Sequence, residues 1–406
     1  MSGVISDNTV RSSGVVAPLS SATTDASNPA RDTNPTDGVG TKWINTTTGQ
    51  IFICIDATTD ANEWVGQKQT SILPRVIWTG GNSDYDKEHD FGYPGKIKDI
   101  SYVTPDTLGD ATDFGDLINT NQYFTGTSNG TNERGVFGGG SSPAGGESNL
   151  IEYFTITTPG NAYHFGNLIS GTMQAGSSSN GTSDRAMWSG GGISGTDVAT
   201  DKIDYITVST PGNAQDFGNL QIAKEYTAGT DNGSNDRGIN ASGTKQGGSS
   251  GNTDTIDYWT ISSTGNAQDF GDLTANRAAP ATCSNDTNNR GLFMAGSYQG
   301  SPNSYSNNID YITISSTGNA TDFGDMAGAT PSGYSNNNGA RGHAAGASSG
   351  TAERGMMAGG YTSISSVSNW YAQIEYVTIS TPGNSTAFGN LEHRVYGPAG
   401  CSNTAN

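Results

Sequence analysis

Short runs in which apolar and polar residues alternate, separated by clusters of Gly, Asn, Asp, Ser and Pro, make up most of this chain. Such runs are strand-length rather than helix-length, and the clusters between them carry turn chemistry. The clearest example is Ile203–Leu220, IDYITVSTPGNAQDFGNL, and related copies begin at Ile100, Ile151, Ile256, Ile309 and Ile374. A recurring unit of roughly fifty residues marks a repeat architecture. Within the unit, Ile203 and Tyr205 alternate onto one side of a strand, and Ile206 and Val208 onto the other. A strand apolar on both faces belongs in a sheet packed between two neighbours. Thr210-Pro211-Gly212-Asn213 then predicts a type II turn, with Pro setting φ and Gly supplying a positive φ. The AQDFGNL run after it predicts the next strand.

Each copy also has an upstream half. An arginine opens a run of apolar residues and glycines at Arg75, Arg134, Arg185, Arg237, Arg290 and Arg354. Before it lies a small-residue run and a polar turn, with Asn129-Gly130, Asn180-Gly181 and Asn232-Gly233 as hairpin signals. The unit therefore reads as four strands, a to d. The first copy has no strand a ahead of Arg75, whereas the chain finishes with Tyr396-GPAGCSNTAN, a strand a with no strand b after it. The two fragments are expected to complete one sheet, closing six units into a ring without an open edge. The predicted fold is all-β, with residues 73–406 in this repeat body.

The segment before it differs. Residues 1–40 are polar and aperiodic, an extended arm carrying two small apolar patches at Val4, Ile5, Val15 and Val16. An arm of this composition orders itself by packing on a partner. Residues 41–72 predict a small β-hairpin module in which Thr48-Gly49 divides two apolar runs and Trp43 and Trp64 close a very small core.

Composition narrows the partners. With 38 acidic and 19 basic residues the formal charge is −19, which repels phosphate backbones and anionic membranes, so neither nucleic acid nor membrane insertion is expected. The N-terminus carries no signal-peptide pattern, so synthesis in a cytoplasm is expected. Of the three cysteines, Cys283 and Cys401 occupy equivalent repeat positions where other copies have Thr127, Ser178 and Thr230, which predicts small buried side chains rather than a disulfide framework.

Candidate chemistry is sparse. One arginine ahead of each strand b and the strand c acids Glu152, Asp204, Asp257, Asp310 and Glu375 could form a ring of anion sites, but their periodicity favours a structural ion pair or turn hydrogen bond. Repetition likewise makes the Asp-Phe-Gly triplets structural. His89, His164, His343 and His393 fall at unrelated repeat positions, so no catalytic set, metal site or cofactor is expected; Asp231, Asn232, Asn235 and Asp236 are a weak calcium pattern common in Asn/Asp turns. The b–c connections stand apart because each differs. They carry Tyr85, Tyr93, Tyr298, Tyr305, Trp370 and Tyr371 among Asn, Asp and Ser, a combination that offers stacking and hydrogen bonds to sugar rings.

The four-strand unit with a glycine pair ending strand b resembles the kelch β-propellers, although Phe217 stands where those repeats usually have Trp. GTKWINTTTGQIFICIDATTDANEWVG resembles a module near the N-termini of bacteriophage tail and fibre proteins, and IDYITISSTGNATDFGD resembles kelch-like proteins of marine phages. The resemblance implies a six-bladed kelch-like propeller on a non-enzymatic virion protein of tail-fibre or appendage type. Residues 1–72, with Val4, Ile5, Val15, Val16, Trp43 and Trp64, would anchor it to other tail or capsid proteins as a homo-oligomer. The propeller would then meet host-surface glycans. A capsid-decorating or head-fibre protein and a polysaccharide-active propeller enzyme are the alternative expectations.

Overall fold

The computed structural model describes residues 22–27, 29–30, 33–46, 51–67, 74–83, 95–141, 146–193, 198–245, 251–298, 305–328, 339–364 and 367–403. The chain forms two compact units, Met1–Ser71 and Ile72–Asn406. Among the described residues there are many strands, a few short 3-10 turns and no α-helix.

The first unit is one four-stranded sheet: β1 (Thr23–Asp25), β2 (Lys42–Asn45), β3 (Ile51–Asp56) and β4 (Glu63–Gln67), paired in that order. β2 and β3 form the expected antiparallel pair, with Ile44 opposite Ile51; the turn at Thr48-Gly49 lies outside the described residues. Trp43 and Trp64 meet edge to face at 6.0 Å over the sheet, and Cys54, opposite Trp64 in the β3–β4 pair, is fully buried. Part of the segment expected as an extended arm joins this sheet. Thr23–Asp25 pairs parallel with β2, and the Trp43 indole N–H donates to Ser27 O at 2.9 Å. The unit therefore takes its edge strand from before position 40, which lengthens a sheet too small to stand as a hairpin alone. Val4, Ile5, Val15 and Val16 lie outside the described residues.

The second unit contains six four-stranded antiparallel assemblies, each in the order a-b-c-d. Sheet 1 pairs Ala399–Ser402, Val76–Thr79, Asp99–Val103 and Thr112–Asp116. Sheet 2 runs Gln122–Ser128, Arg134–Ser141, Leu150–Thr155, Tyr163–Asn167. Sheet 3 runs Gly176–Ser179, Arg185–Ser189, Lys202–Thr207, Gln215–Asn219. Sheet 4 runs Ala228–Asp231, Arg237–Ala241, Thr253–Thr260, Gln268–Arg277. Sheet 5 runs Ala281–Ser284, Arg290–Met294, Asn308–Thr313, Thr321–Asp325. Sheet 6 runs Ala345–Ser348, Arg354–Ala358, Val367–Thr378, Thr386–Tyr396, and its outer strand also pairs with the short Asn82–Ser83. The C-terminal strand fills the place expected of it, with Ser402 opposite Val76 and Ala399 opposite Thr79.

The apolar residues on both faces of strands b and c explain how these sheets associate. Six buried clusters form, and each joins one sheet to the next. Met187, Ile203 and Phe217 of sheet 3 meet Trp259 and Ile261 of sheet 4, for example. The sequence of clusters closes on itself, because Met356, Ile374 and Phe388 of sheet 6 pack with Val76, Trp78 and Val103 of sheet 1. Cys283 and Cys401 are free and buried in two of these seams.

The most repeated residues hold the seams rather than single sheets. The turn after strand c closes earlier than predicted, with Thr210 N–H donating to Thr207 O at 3.1 Å, so Pro211-Gly212-Asn213 is not a type II turn. That segment instead runs out to the neighbouring sheet. Ala214 N–H donates to Asn167 O at 2.8 Å, and Asn213 Oδ1 accepts from Asn167 N–H at 3.0 Å. The same contact recurs from Asn161, Asn266, Asn319 and Asn384, and Asp110 makes it to Asn390. Each turn thereby covers the outer edge of the preceding sheet. The contact also dictates the glycine of Phe-Gly: a Cβ on Gly218 would sit 2.3 Å from Gly265 O, and one on Gly389 2.0 Å from Gly109 O.

Candidate functional site

Antiparallel order places the a–b and c–d turns at one end of the ring of sheets, and the b–c and d–a connections at the other. At the first end the six arginines are structural. The guanidinium of Arg185 lies 4.8 Å from the ring centroid of Tyr205 in its own sheet and donates to Ile261 O of the next sheet at 2.8 Å. Arg75, Arg134, Arg237, Arg290 and Arg354 do the same with Tyr102, Tyr153, Tyr258, Tyr311 and Tyr376. They do not pair with the strand c acids, which is where the expectation of a repeated Arg–acid ion pair fails. The Asn-Gly turns are equally committed. Asn180 Oδ1 accepts from Arg185 N–H at 2.7 Å and its Nδ2 donates to Asp236 of the next sheet at 3.0 Å. Asn232, Asn235 and Asp236 make such inter-sheet bonds too, and Asp231 accepts from Ser179 N–H and Gly233 N–H. The residues suggested as a calcium cradle thus turn their oxygens to the protein.

The innermost strands surround a cavity of about 190 Å³. One end of it is closed by the residues that lead into strand a: Tyr123, Gln174, Tyr226, Ala279, His343 and Gly397 all have φ between 50° and 67°. Their peptide groups bond around the ring, Tyr123 N–H to Gly397 O, Gln174 to Tyr123, Ala279 to Tyr226, His343 to Ala279 and Gly397 to His343, with Thr227 N–H bridging to Gln174 O. Toward the other end lie two buried carboxyls, Asp231 and Asp286. Burial pushes Asp231 up to about 6, and burial followed by the nearby Asp231 charge raises Asp286 well above the usual carboxylate range.

On the closed end sits a continuous set of aromatic rings. Tyr396 is its hub, 4.9 Å from Trp370, 5.6 Å from Tyr361 and 5.7 Å from Tyr123. Tyr361 continues to Tyr305 at 5.8 Å, and Tyr123 to His343 at 5.5 Å, which reaches Tyr226 at 5.4 Å. The b–c connection of sheet 6 builds much of this as a hairpin, Tyr361–Ile364 against the start of strand c, with Tyr361 directly opposite Trp370. Tyr305, Tyr361, Trp370 and Tyr396 are half-buried, each with part of its ring in solvent. Burial and neighbouring phenols raise the Tyr123 and Tyr305 hydroxyls, and burial lowers the His343 imidazole to about 4, so the cluster is uncharged at neutral pH.

Two of the sequence-suggested residues, Tyr305 and Trp370, thus come together through Tyr361 and Tyr396. Tyr298 stands half-buried with its hydroxyl donating to Ser306 Oγ at 3.0 Å. Tyr371 is structural: it is buried, with the Arg341 guanidinium 5.0 Å from its ring centroid. Tyr85 and Tyr93 lie outside the described residues. Sequence reasoning missed Tyr396, Tyr123 and Tyr226 because they lie at the end of a strand d, at the start of a strand a and between the two, outside the divergent b–c connections.

The strand c acids form a third arrangement at this same end. Asp257 pairs with Lys224 at 3.0 Å, Asp310 with Arg277 at 2.8 Å and Glu375 with Arg341 at 2.8 Å, all six side chains being almost fully buried. Lys224 and Arg277 are each the fourth residue after the apolar residue that ends the strand d core, Leu220 and Leu273, whereas Arg341 lies in the same connection further along the chain from Met326. At the corresponding place sheets 1, 2 and 3 have Val395, Asn121 and Thr172. Opposite Val395 the acid is absent too, as Ser101. Among the described residues no cationic side chain pairs with Glu152 or Asp204, and burial pushes them up to about 7 and about 6 respectively. Asp99, Glu392 and His393 are grouped closely enough to share a metal ion, His393 Nε2 lying 3.0 Å from Asp99 Oδ2. No protein-family model matches the chain, and no curated protein matches its sequence.

Proposed function

We propose that this chain is a carbohydrate-recognising attachment protein without enzymatic activity, and that its second unit is a six-bladed, kelch-like β-propeller. The observation that carries the proposal is the set of half-exposed rings of Tyr305, Tyr361, Trp370 and Tyr396 at one end of the ring of sheets. Such rings present apolar faces beside hydroxyl donors and acceptors, which suits the C–H faces and hydroxyls of a sugar ring. The cyclic chain of inter-sheet cores and the pairing of Ala399–Ser402 with Val76–Thr79 support the propeller reading. The resemblance of residues 40–66 to phage fibre modules supports a place on a virion as a tail fibre or appendage, held by residues 1–72 as a homo-oligomer. A capsid-decorating or head-fibre location uses the same architecture.

The test is binding of the full chain to an array of bacterial surface glycans, repeated with Trp370→Ala combined with Tyr305→Ala. Loss of two stacking rings should weaken binding by about tenfold or more while thermal stability changes little. Unchanged glycan binding in the double variant would remove the aromatic cluster from consideration. A polysaccharide-active enzyme is favoured by one observation, the Asp231 and Asp286 carboxyls in the central cavity. Cleavage of a bound polysaccharide, lost in Asp286→Asn, would establish that reading instead.

A further inference from the structure

A cavity of about 210 Å³ opens in sheet 3, at the place where sheets 4, 5 and 6 bury a cation. Its walls include Thr172, Trp188 and Ile193, Asp204 lines it, and Lys202 and Asp216 stand at its more exposed side. The equivalence is close. Thr274 N–H donates to Asp310 Oδ2 at 3.1 Å, and Ile169 N–H, two sheets away in the ring, donates to Asp204 Oδ2 at 3.1 Å. In sheet 5 the remaining space is filled by Arg277, which reaches Asp310, Phe293 O and Asn308 O. In sheet 4 Lys224 fills it and reaches Asp257. In sheet 2 Asn121 takes the position and bonds to Gly139 O at 2.9 Å. Sheet 3 has only Thr172, whose hydroxyl turns to Ser170 O at 3.2 Å. Among the described residues no cationic side chain pairs with Asp204.

We propose that this cavity is a binding site for a small organic cation, an alkylguanidinium or alkylammonium group, which takes the place that Arg277 and Lys224 occupy in the neighbouring sheets. The volume suffices, since a cavity of about 150 Å³ admits a benzene-sized guest. The chemistry is complementary at both ends: a 9 % exposed carboxylate for the charged head, and the Trp188 indole and Ile193 for an apolar stem. The groups facing Asp204 are Asp216, directly opposite in strand d, and Lys202 on its own strand; two carboxyls against one amine leave the site net negative. An arriving cation also relieves the burial that disfavours the Asp204 carboxylate, so binding and deprotonation reinforce each other. Both a free amine or guanidine and the terminal Lys or Arg side chain of a peptide present this group.

Calorimetry or ligand-observed NMR on the full chain, with n-butylguanidinium, n-butylammonium and the neutral n-butylurea as probes, tests the site. The expected result is saturable binding of the two cations at mildly alkaline pH, weakening as the pH falls below about 6, with butylurea at least about tenfold weaker. Asp204→Asn, which keeps an acceptor for Ile169 N–H, should weaken cation binding about tenfold or more. Thr172→Arg should abolish it by installing the pair that sheet 5 already has. A peptide with a terminal arginine that binds as butylguanidinium does would assign the side chain as the source; binding of the free cation alone would assign a metabolite-sized ligand. Equal binding of butylurea, or undiminished cation binding in Thr172→Arg, would overturn the proposal, as would absence of saturable binding in the wild-type chain.

Discussion

The two ends of the ring of sheets are built on opposite terms. At the a–b and c–d end, one set of contacts is used six times: arginine over tyrosine, arginine to a carbonyl of the next sheet, and asparagine or aspartate across the seam. The bonds of this set run to main-chain atoms, which every copy supplies. At the b–c and d–a end the described residues fall into three different arrangements. Three bury an ion pair, two bury an acid alone, and one has neither. The difference teaches where substitution is tolerated. A contact to a carbonyl of the next sheet ties two repeats together, so drift in one copy damages a neighbour. The buried pairs also bridge one sheet to the next, yet such a pair can be lost where both partners go together, as Val395 and Ser101 illustrate.

The largest effect should come from turning sheet 5 into a copy of sheet 3. Arg277→Thr leaves Asp310, fully buried, with its Thr274 bonds but no cation. Breaking a buried pair from one side costs about 3–5 kcal/mol. Arg277→Val with Asp310→Ser, the combination of sheet 1, should recover most of that. Denaturant unfolding of the single and double variants measures both. A double variant no more stable than the single would mean that the pair is needed for more than mutual neutralisation.

A smaller effect separates the repeated and exceptional residues within the central cavity. Asp231 occupies a position held by Ser128, Ser179, Ser284, Ser348 and Ser402 in the other sheets. Its folded-state pKa is raised from 3.8 to about 6, so between those values the unfolded chain gives up a proton that the folded chain keeps. Stability therefore falls as pH rises through that window, and stays lower above it. Asp231→Ser keeps an acceptor for Gly233 N–H and removes the titration. The wild-type curve should drop relative to the variant by up to about 3 kcal/mol between pH 4 and 6, as read by unfolding at a series of pH values. Parallel curves would show that Asp231 ionises as freely in the folded chain as in the unfolded one.

Much of the fold was legible because repetition averages away local ambiguity. Strand boundaries, their order and the pairing of the C-terminal strand with Val76–Thr79 follow from laying six copies side by side. The role of Pro211-Gly212-Asn213 was not legible, since turn propensity describes a segment alone and this one is shaped by the sheet beside it. The strand c acids were found as a periodic feature, but their partners Lys224, Arg277 and Arg341 were missed because only half the copies have them. The signal was present in the sequence: a basic residue, Lys224, Arg277 or Arg341, precedes each of the strand c acids Asp257, Asp310 and Glu375 between strand d of one sheet and strand a of the next. The aromatic cluster was half found. Tyr305 and Trp370 stand out in divergent b–c segments, whereas Tyr396 and Tyr123 meet them only through ring closure.

The smallest effect should come from the repeated end, where sheet 6 already contains a natural variant. Ser349 holds the place of Asn129, Asn180, Asn232 and Asn285, and its hydroxyl accepts from Arg354 N–H at 2.9 Å as the amides do from their arginines. What serine lacks is the second arm: Asn232 Nδ2 also donates to Asn289 Oδ1 of the next sheet at 2.8 Å. Asn232→Ser should therefore lose one inter-sheet hydrogen bond and nothing else, a cost of about 1 kcal/mol. The converse, Ser349→Asn, adds an amide arm on the sheet 6 to sheet 1 seam, where Pro105 O already accepts from Arg354. If Asn232→Ser instead costs as much as Arg277→Thr in the same unfolding assay, the repeated end is held cooperatively around the ring. Its uniformity would then reflect a network acting as one unit rather than six separate bonds.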